Sequence, residues 1–383
     1  MNNDFIPSPA LLPAGLRDML PPEAENEAAS VEALMAAFAA HGYQRVKPPL
    51  LEFEDSLLAG SGAAVAEQTF RVMDPDTHRM MGLRPDITPQ VARIAATRLT
   101  NAPRPLRLSY AGQCVRVRGS QLSPDRQVAQ TGIELIGVDS PEADAEIVVV
   151  GAEALAALGL TRVSFDLTLP TLVPTLLDEA GFTGPARQAL SRALDRKDAA
   201  AVTEHGGRLA RTLTDLLLAA GPAQSALAAL QAADLPPLAR ALSERLAETV
   251  RVLRERAPAV KLTIDPVEFR GFRYHTGIAI TVYAPGRHEE LGRGGRYLCG
   301  EAEPATGLTL FPDAVLSLAP PRPVRPRVFL PHGTPLPVAD SLRRQGFATV
   351  AGLAPVADPA REARRLGCTH LAQNGAALPL ASE

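Results

Sequence analysis

Two strand-like runs, residues 106–118 and 128–138, are joined by the polar loop 119–126, and this pair constrains the fold more than any other stretch. Runs of this kind read as an antiparallel hairpin with a long loop. Side chains of one parity share a strand face, so Arg116 and Arg118 point one way, as do Gln130, Gly132 and Glu134 on the partner run. A face bearing guanidinium, amide and carboxylate groups does not suit an apolar core, because burying an unpaired polar group costs about 2–7 kcal/mol. Such a face either meets water or lines a polar pocket.

The rest of the chain is arranged around this hairpin. Residues 22–41 read as a helix, with Pro22 in the first turn, Glu23 and Glu25 at the positive end of its dipole, and Val31, Leu34, Met35 and Phe38 at helical spacing. Pro48-Pro49 can neither continue a helix nor occupy a central strand. Residues 80–83 and 162–167 read as strands, and 86–100 and 142–158 as helices. Between 171 and 256, Leu, Ala and Arg recur at helical spacing, which predicts an all-helical insertion. Strands resume at 262–268 and 277–283, and the glycine-rich segment 292–296 reads as a tight turn with close backbone approach. A proline-rich linker, 319–327, precedes a small α/β unit. The expected organisation is α+β: a core from 1–170 and 257–318, the insertion 171–256, the linker, and a short C-terminal unit at 328–383.

Composition narrows the function classes. The 39 basic and 42 acidic side chains leave a net charge of −3, which gives no general pull toward nucleic acid or an anionic membrane. The most apolar stretch, 216–230, is interrupted by Gly221-Pro222 and is too short to span a bilayer. The N-terminus has no basic n-region, so no signal peptide is expected. Cys114, Cys299 and Cys368 are widely separated, which fits a reducing cytoplasm better than a disulfide framework. Only Lys47, Lys197 and Lys261 are lysines, leaving few candidates for Schiff-base or P-loop chemistry. None of the seven histidines pairs with another at helical ligand spacing, so no metal and no cofactor is expected.

Two further segments carry chemistry-bearing side chains. Arg84-Pro85-Asp86-Ile87-Thr88 sets an acid and a hydroxyl at a helix start, where N-capping is the simplest role. Residues 270–277 gather Arg270, Arg273, Tyr274 and His275 in one loop-to-strand stretch.

Taken in order, these segments resemble the catalytic core of a class II aminoacyl-tRNA synthetase of the histidyl type, an antiparallel sheet flanked by helices. Gly15-Leu-Arg-Asp18 resembles the family's opening, and His41-Gly42-Tyr43 through Pro48-Pro49 and Leu51-Glu52 resembles motif 1, the dimer-forming element. Arg84–Thr88 resembles Arg-Pro-Glu-Gly-Thr, and Arg116 through Glu134 resembles motif 2. Arg270-Gly271 with Tyr274 resembles the histidine-specific Arg-Gly-Leu-Asp-Tyr-Tyr, and Gly294-Gly295-Arg296-Tyr297 resembles Gly-Gly-Arg-Tyr-Asp. The resemblance spans roughly residues 12–318 and implies that Asp86, Thr88, Arg116, Gln130, Glu134, Arg270, Tyr274 and Tyr297 contact histidine. In that reading Glu134 and Gln130 accept imidazole or ammonium protons, and Arg116 takes the carboxylate.

The departures fall elsewhere. Arg118 stands at a family glutamate, Val128 at the phenylalanine that stacks on adenine, and Asp313 and Ala314 at the glutamate and arginine of motif 3. Losing a cation from a triphosphate site removes charge-assisted bonds. His275, Phe272-Arg273 and Leu298 also differ from the family pattern, and the C-terminal unit is too short for a full anticodon-binding module. A synthetase fold that keeps its amino-acid pocket and loses its ATP and RNA equipment resembles the ATP phosphoribosyltransferase regulatory-subunit family. That resemblance implies a non-catalytic chain in histidine biosynthesis, partnered by a short-form catalytic subunit, self-associating through motif 1 and responding to histidine. An active histidyl-tRNA synthetase with a degenerate ATP site is the alternative.

Overall fold

Ser140 begins the helix that organises one face of the molecule: its hydroxyl accepts from the Ala143 amide, Pro141 occupies the first turn, and Glu142 and Asp144 follow. This structure is a computed structural model, and it describes residues 11–119, 124–269, 274–300, 302–320 and 323–381. The chain divides into two units, Met1–Pro320 and Pro321–Glu383.

The first unit opens with α1 (Glu23–Ala40), β1 (Gln44–Arg45), β2 (Leu51–Phe53) and α2 (Glu54–Leu57), followed by β3 (Phe70–Met73), β4 (Met80–Leu83) and α3 (Thr88–Thr97). The central hairpin is β5 (Leu106–Val115) and β6 (Gln127–Ile136), then α4 (Pro141–Ala157) and β7 (Ser164–Thr168). The helical stretch comprises α5 (Leu172–Glu179), α6 (Gly184–Asp195), α7 (Ala199–His205), α8 (Ala210–Leu218), the two-residue β8 (Gly221–Pro222), α9 (Ala223–Ala232) and α10 (Pro237–Arg256). The unit closes with β9 (Lys261–Asp265), β10 (His275–Tyr283), β11 (Glu290–Cys299), β12 (Glu303–Leu310) and α11 (Pro312–Leu316).

Nine strands form one sheet in the order β1-β5-β6-β12-β11-β10-β7-β9-β8, and β2, β4 and β3 form a separate antiparallel sheet. The β5–β6 ladder runs from Leu106 opposite Ile136 to Val115 opposite Gln127. The expected strand to residue 118 is therefore too long. Beyond it the Arg116 amide donates to the Arg126 carbonyl at 2.7 Å, and Arg116 forms an isolated bridge to Thr69. The glycine-rich segment is likewise not a turn but the middle of β11. Gly294 and Gly295 pair with Leu308 and Gly307, and the missing side chains let neighbouring strands and side chains approach closely.

Alternation of side chains gives the sheet two different faces. Ile133 and Leu135 of β6 join Leu34 and Phe38 of α1, Ile147 and Val148 of α4, and Leu246 and Leu253 of α10 in the larger core. Helices α8 and α9 contribute Leu213, Leu216, Ala226 and Leu230 to that same core. Each such side chain, fully buried, contributes about 1.5–3 kcal/mol. The opposite face carries a smaller cluster of Ile87, Val91, Ala95, Leu108, Tyr110 and Tyr297 beneath α3.

Within the Gly-Gly-Arg-Tyr segment the two side chains divide between these faces. Arg296 turns away from Tyr297, donating to both Asp144 carboxylate oxygens at 2.8–3.2 Å and to the Val138 carbonyl at 3.1 Å. Both partners are almost fully buried, so this pair ties β11 to the start of α4.

The second unit is a four-stranded sheet, β13 (Arg327–Leu330), β14 (Ala348–Ala351), β15 (His370–Gln373) and β16 (Ala376–Pro379), ordered β14-β13-β15-β16. Helices α12 (Leu336–Arg344) and α13 (Pro359–Arg365) pack on it, one against Val328 and Leu330 and the other against Phe329. The adjacent residues alternate, so the sheet is covered on both sides.

Candidate functional site

The polar face of β6 is buried. Gln130 and Glu134 are 2% and 1% exposed, so they do not face water. They form a buried polar floor where β5, β6, β12 and β11 lie side by side, with the residues before α3 laid across them.

Glu134 is its deepest charged group. Its Oε1 accepts from the Thr88 hydroxyl at 3.0 Å and the Tyr110 hydroxyl at 3.2 Å, and its Oε2 accepts from the Tyr297 hydroxyl at 2.9 Å. Tyr110 also lies 3.0 Å from Thr88 Oγ1 and 2.7 Å from Thr309 Oγ1. The carboxyl lies directly over Gly307, where a Cβ would clash with Oε2, and Gly132 leaves the space that the Tyr110 ring fills. Burial pushes the Glu134 carboxyl up to about 8, the nearby Asp86 charge adds to this, and the hydroxyl donors only partly offset it. Burial thus favours the neutral form of this carboxyl, and the three hydroxyl donors oppose it.

Asp86 and Thr88 have separate tasks. Asp86 Oδ1 accepts from the Thr88 amide at 3.1 Å, an Asx-type turn just ahead of α3; the N-cap position is Ile87, which has no side-chain cap, so the N-capping expected for this segment is not formed. The Thr88 hydroxyl instead turns inward to Glu134. Gln130 Oε1 accepts from the Ile87 amide at 3.0 Å and from Cys114 Sγ at 3.3 Å. Both lone pairs of that carbonyl are engaged, which leaves the amide NH2 as the polar group of Gln130 with no partner of this kind. Arg116 is half-buried at the end of the hairpin, with Nε 3.5 Å from the Pro85 carbonyl.

Tyr274 stands edge-on to Tyr297, ring centroids 6.0 Å apart, and stacks on His275 at 4.6 Å. Burial and the neighbouring Arg293 charge push the His275 ring down to about 4, so it is neutral. Arg270 and the neighbouring Phe272-Arg273 lie outside the described residues. Thr88, Gln130, Glu134 and Tyr297 thus meet on one floor, and Asp86 and Tyr274 stand beside it. Sequence reasoning missed Tyr110 and Thr309. Tyr110 was accessible from parity, three alternate positions before Arg116, whereas Thr309 sits in an apolar strand with no local signal.

The neighbouring region, where the resemblance places ATP, has a different character. Val128 packs into the apolar cluster beneath α3, and Arg118 is exposed. Asp313 accepts from the Ala129 amide at 3.2 Å, and Ala314 is buried in the larger core. Burial raises the Asp313 carboxyl above its ordinary range, and burial together with the Asp313 charge does the same for Glu27. Arg17 is engaged by Glu23 at 3.1 Å and lies 3.8 Å from Asp125. Among the described residues, no group of three or more His, Cys, Asp or Glu is placed to hold a metal ion.

A buried acid ringed by hydroxyls on the antiparallel strands at the centre of a mixed sheet, with motif 1 and motif 2 elements around it, is the architecture of the class II synthetase-like proteins, and the histidyl-tRNA synthetase family model matches residues 15–315. Within that class the chain belongs to the ATP phosphoribosyltransferase regulatory-subunit family. It is 58% identical to a protein of that name from Paramagnetospirillum magneticum over 94% of this chain and 95% of the relative. It is 54% identical to another from Gluconobacter oxydans, over 98% of each. Among solved structures, a Bacillus halodurans protein titled ATP phosphoribosyltransferase regulatory subunit/histidyl-tRNA synthetase superposes with a TM-score of 0.80 at 23% identity, covering 94% of this chain and 97% of that one. Histidyl-tRNA synthetase from Nostoc shares the fold at a TM-score of 0.74 and 18% identity, over 94% and 90% of the two chains.

Proposed function

We propose that this chain is the non-catalytic subunit that a short-form ATP phosphoribosyltransferase catalytic subunit requires for activity in the first step of histidine biosynthesis, and that it conveys feedback by histidine. The observation that carries this reading is the contrast inside one pocket. The acid-and-hydroxyl floor is complete, while Val128, Asp313 and Ala314 offer a nucleotide neither a stacking ring nor a cation. Neither aminoacylation nor a cofactor belongs to this reading.

Histidine occupies the pocket in this account. Glu134 addresses its imidazole or ammonium, Arg116 its carboxylate, and Asp86, Thr88, Gln130, Arg270, Tyr274 and Tyr297 complete the contacts. The ligand biases one quaternary state through differential affinity, the only means by which binding moves an equilibrium. The division into a core at 1–170 and 257–318, a helical insertion at 171–256, a linker at 319–327 and a short unit at 328–383 belongs to the same proposal. Self-association uses the motif 1 region, where Leu50, Leu51, Val72, Met73 and Met80 are exposed on and beside the small sheet. A cytoplasmic setting agrees with three free, buried cysteines, and no described helix is long and apolar enough to cross a membrane.

Co-purification with a short-form catalytic subunit, scored for transferase activity, tests the reading. The expected result is a stable complex whose activity requires this chain and falls on adding histidine. A catalytic subunit equally active alone, or histidine-dependent ATP–pyrophosphate exchange by this chain, overturns it.

A further inference from the structure

The second unit is as basic as the rest of the chain is acidic. Residues 321–383 hold eight arginines against four acids, whereas residues 1–320 hold 31 basic and 38 acidic side chains. Most of the excess lies at one end of the four-stranded sheet. Arg327 opens β13, its carbonyl accepts from the Thr369 amide at 3.0 Å, and the Pro326 carbonyl accepts from the Ala348 amide at 2.9 Å. The turns from α12 into β14 and from α13 into β15 therefore flank Arg327 on either side. They bring the last residues of two helices, Arg343 and Arg344 of α12 and Arg364 and Arg365 of α13, to the same end. Arg325 precedes β13 there, and all six residues are exposed.

Few acids answer them. Asp340 pairs with Arg343 and Glu362 with Arg365, each at 2.6 Å. Arg325, Arg327 and Arg344 have no carboxylate partner among the described residues. Helix dipoles favour cations at the ends of α12 and α13, but they do not account for Arg325 and Arg327, which lead into a strand. Charges of one sign gathered on one end repel each other, and an anionic surface set against them offsets that cost. Guanidinium forks suit carboxylates and phosphates alike, so the surroundings must choose. Among the described residues of this unit no Phe, Tyr or Trp is exposed, so unpaired bases would find no ring to stack on. Both helices turn their carboxyl ends to this surface, so a phosphate would gain no helix N-terminus. Carboxylates fit better.

We infer that this arginine-rich end of the second unit docks a carboxylate-rich surface of the catalytic subunit. The inference rests on the proposed function and names where the two proteins meet. Exposed charges of this kind act on encounter more than on the lifetime of a complex, because they steer an opposite surface in from a distance. Salt screens that attraction over roughly 8–10 Å, so association slows as ionic strength rises. None of the six arginines belongs to the proposed histidine pocket. A complex that forms without them is therefore fully active.

The experiment measures association and dissociation rates of the full chain with a short-form catalytic subunit, at salt concentrations from about 50 to 400 mM. The test variant combines Arg325→Glu, Arg327→Glu and Arg344→Glu, and a second combines the same three changes to Gln in case the first disturbs the unit's fold. The control, Arg208→Glu, Arg211→Glu and Arg240→Glu together, makes the same change of charge at exposed positions of the helical stretch. The expected result for the Glu variant is association slowed about tenfold or more at low salt, dissociation altered less than about threefold, and a flattened salt dependence. The Gln variant shows a smaller effect of the same sign, the control stays close to wild type, and transferase activity is complete once the test variant is in excess. A test variant that associates no more slowly than the control overturns the inference and leaves the regulatory reading intact. Transfer RNA bound by the wild type and lost by the test variant, or a change in the chain's own sedimentation seen only in that variant, assigns the surface to RNA or to a second copy and also overturns it. A wild-type chain that fails to bind the catalytic subunit at any salt removes the inference and the proposed function together.

Discussion

The two halves of the pocket share strands β6 and β12 yet have opposite chemistry. In the half around Glu134, every polar group found is tied into a buried network: Thr88, Tyr110, Thr309 and Tyr297 all reach the same carboxyl directly or through one hydroxyl. A few residues away, Asp313 serves to accept a backbone amide, Ala314 fills core space, and Val128 packs against apolar neighbours. The first half keeps a costly arrangement, because burying an acid without a cation lowers stability unless a ligand repays it. In the second half Arg17, the cation nearest Asp313 among the described residues, is engaged by Glu23 and lies close to Asp125. The difference teaches that buried polarity without a structural partner is the better guide to a ligand than the fold itself.

Breaking the first half gives the largest effect. Glu134→Ala is expected to abolish histidine binding to the isolated chain, a loss beyond 100-fold by calorimetry. The stability side has a definite sign. The folded value of about 8 lies above the ordinary carboxylate value of 4.5, so the stability linked to Glu134 is fully present below about 4.5 and lost as pH rises through 8. The melting temperature of the variant relative to the wild type is thus expected to rise between pH 5 and 8. Unchanged histidine binding moves the ligand elsewhere.

A buried acid on the other face sharpens the contrast. Asp144→Ala leaves Arg296 buried without its main partner, which costs about 3–5 kcal/mol in denaturant unfolding. Histidine affinity, measured where the variant is folded, is expected to change less than threefold, because Arg296 faces away from the pocket. A large loss of affinity there would show that the two faces are coupled.

Asp313→Asn is the mildest change. The amide oxygen still accepts from Ala129, so unfolding is expected to shift by under about 1 kcal/mol. Removing this one negative charge supplies no cation, and equilibrium dialysis is expected to show no gain in ATP binding. A clear gain would mean that Asp313 alone keeps nucleotide out.

Much of the retained half was legible in the sequence. Parity placed Gln130 and Glu134 on one face, and the ordered motifs brought Thr88 and Tyr297 to it. Register decided the rest. The meeting of Thr309 with Tyr110 depends on β12 lying beside β6, a pairing between segments far apart in the chain. The same long-range pairing turns Gly294-Gly295 into a strand that two neighbours crowd, where local glycine content suggests a turn. Gln130 shows a subtler limit: its place was readable, but the engagement of its carbonyl follows from the Ile87 amide packed against it.

The central claim is amino-acid recognition without nucleotide activation. It is tested most directly by titrating the chain calorimetrically with histidine, with and without magnesium–ATP. The account predicts saturable binding of one histidine per chain, with the same affinity in both titrations and no heat from ATP alone. Histidine binding that appears or tightens severalfold only with ATP, or no histidine binding at all, would contradict it.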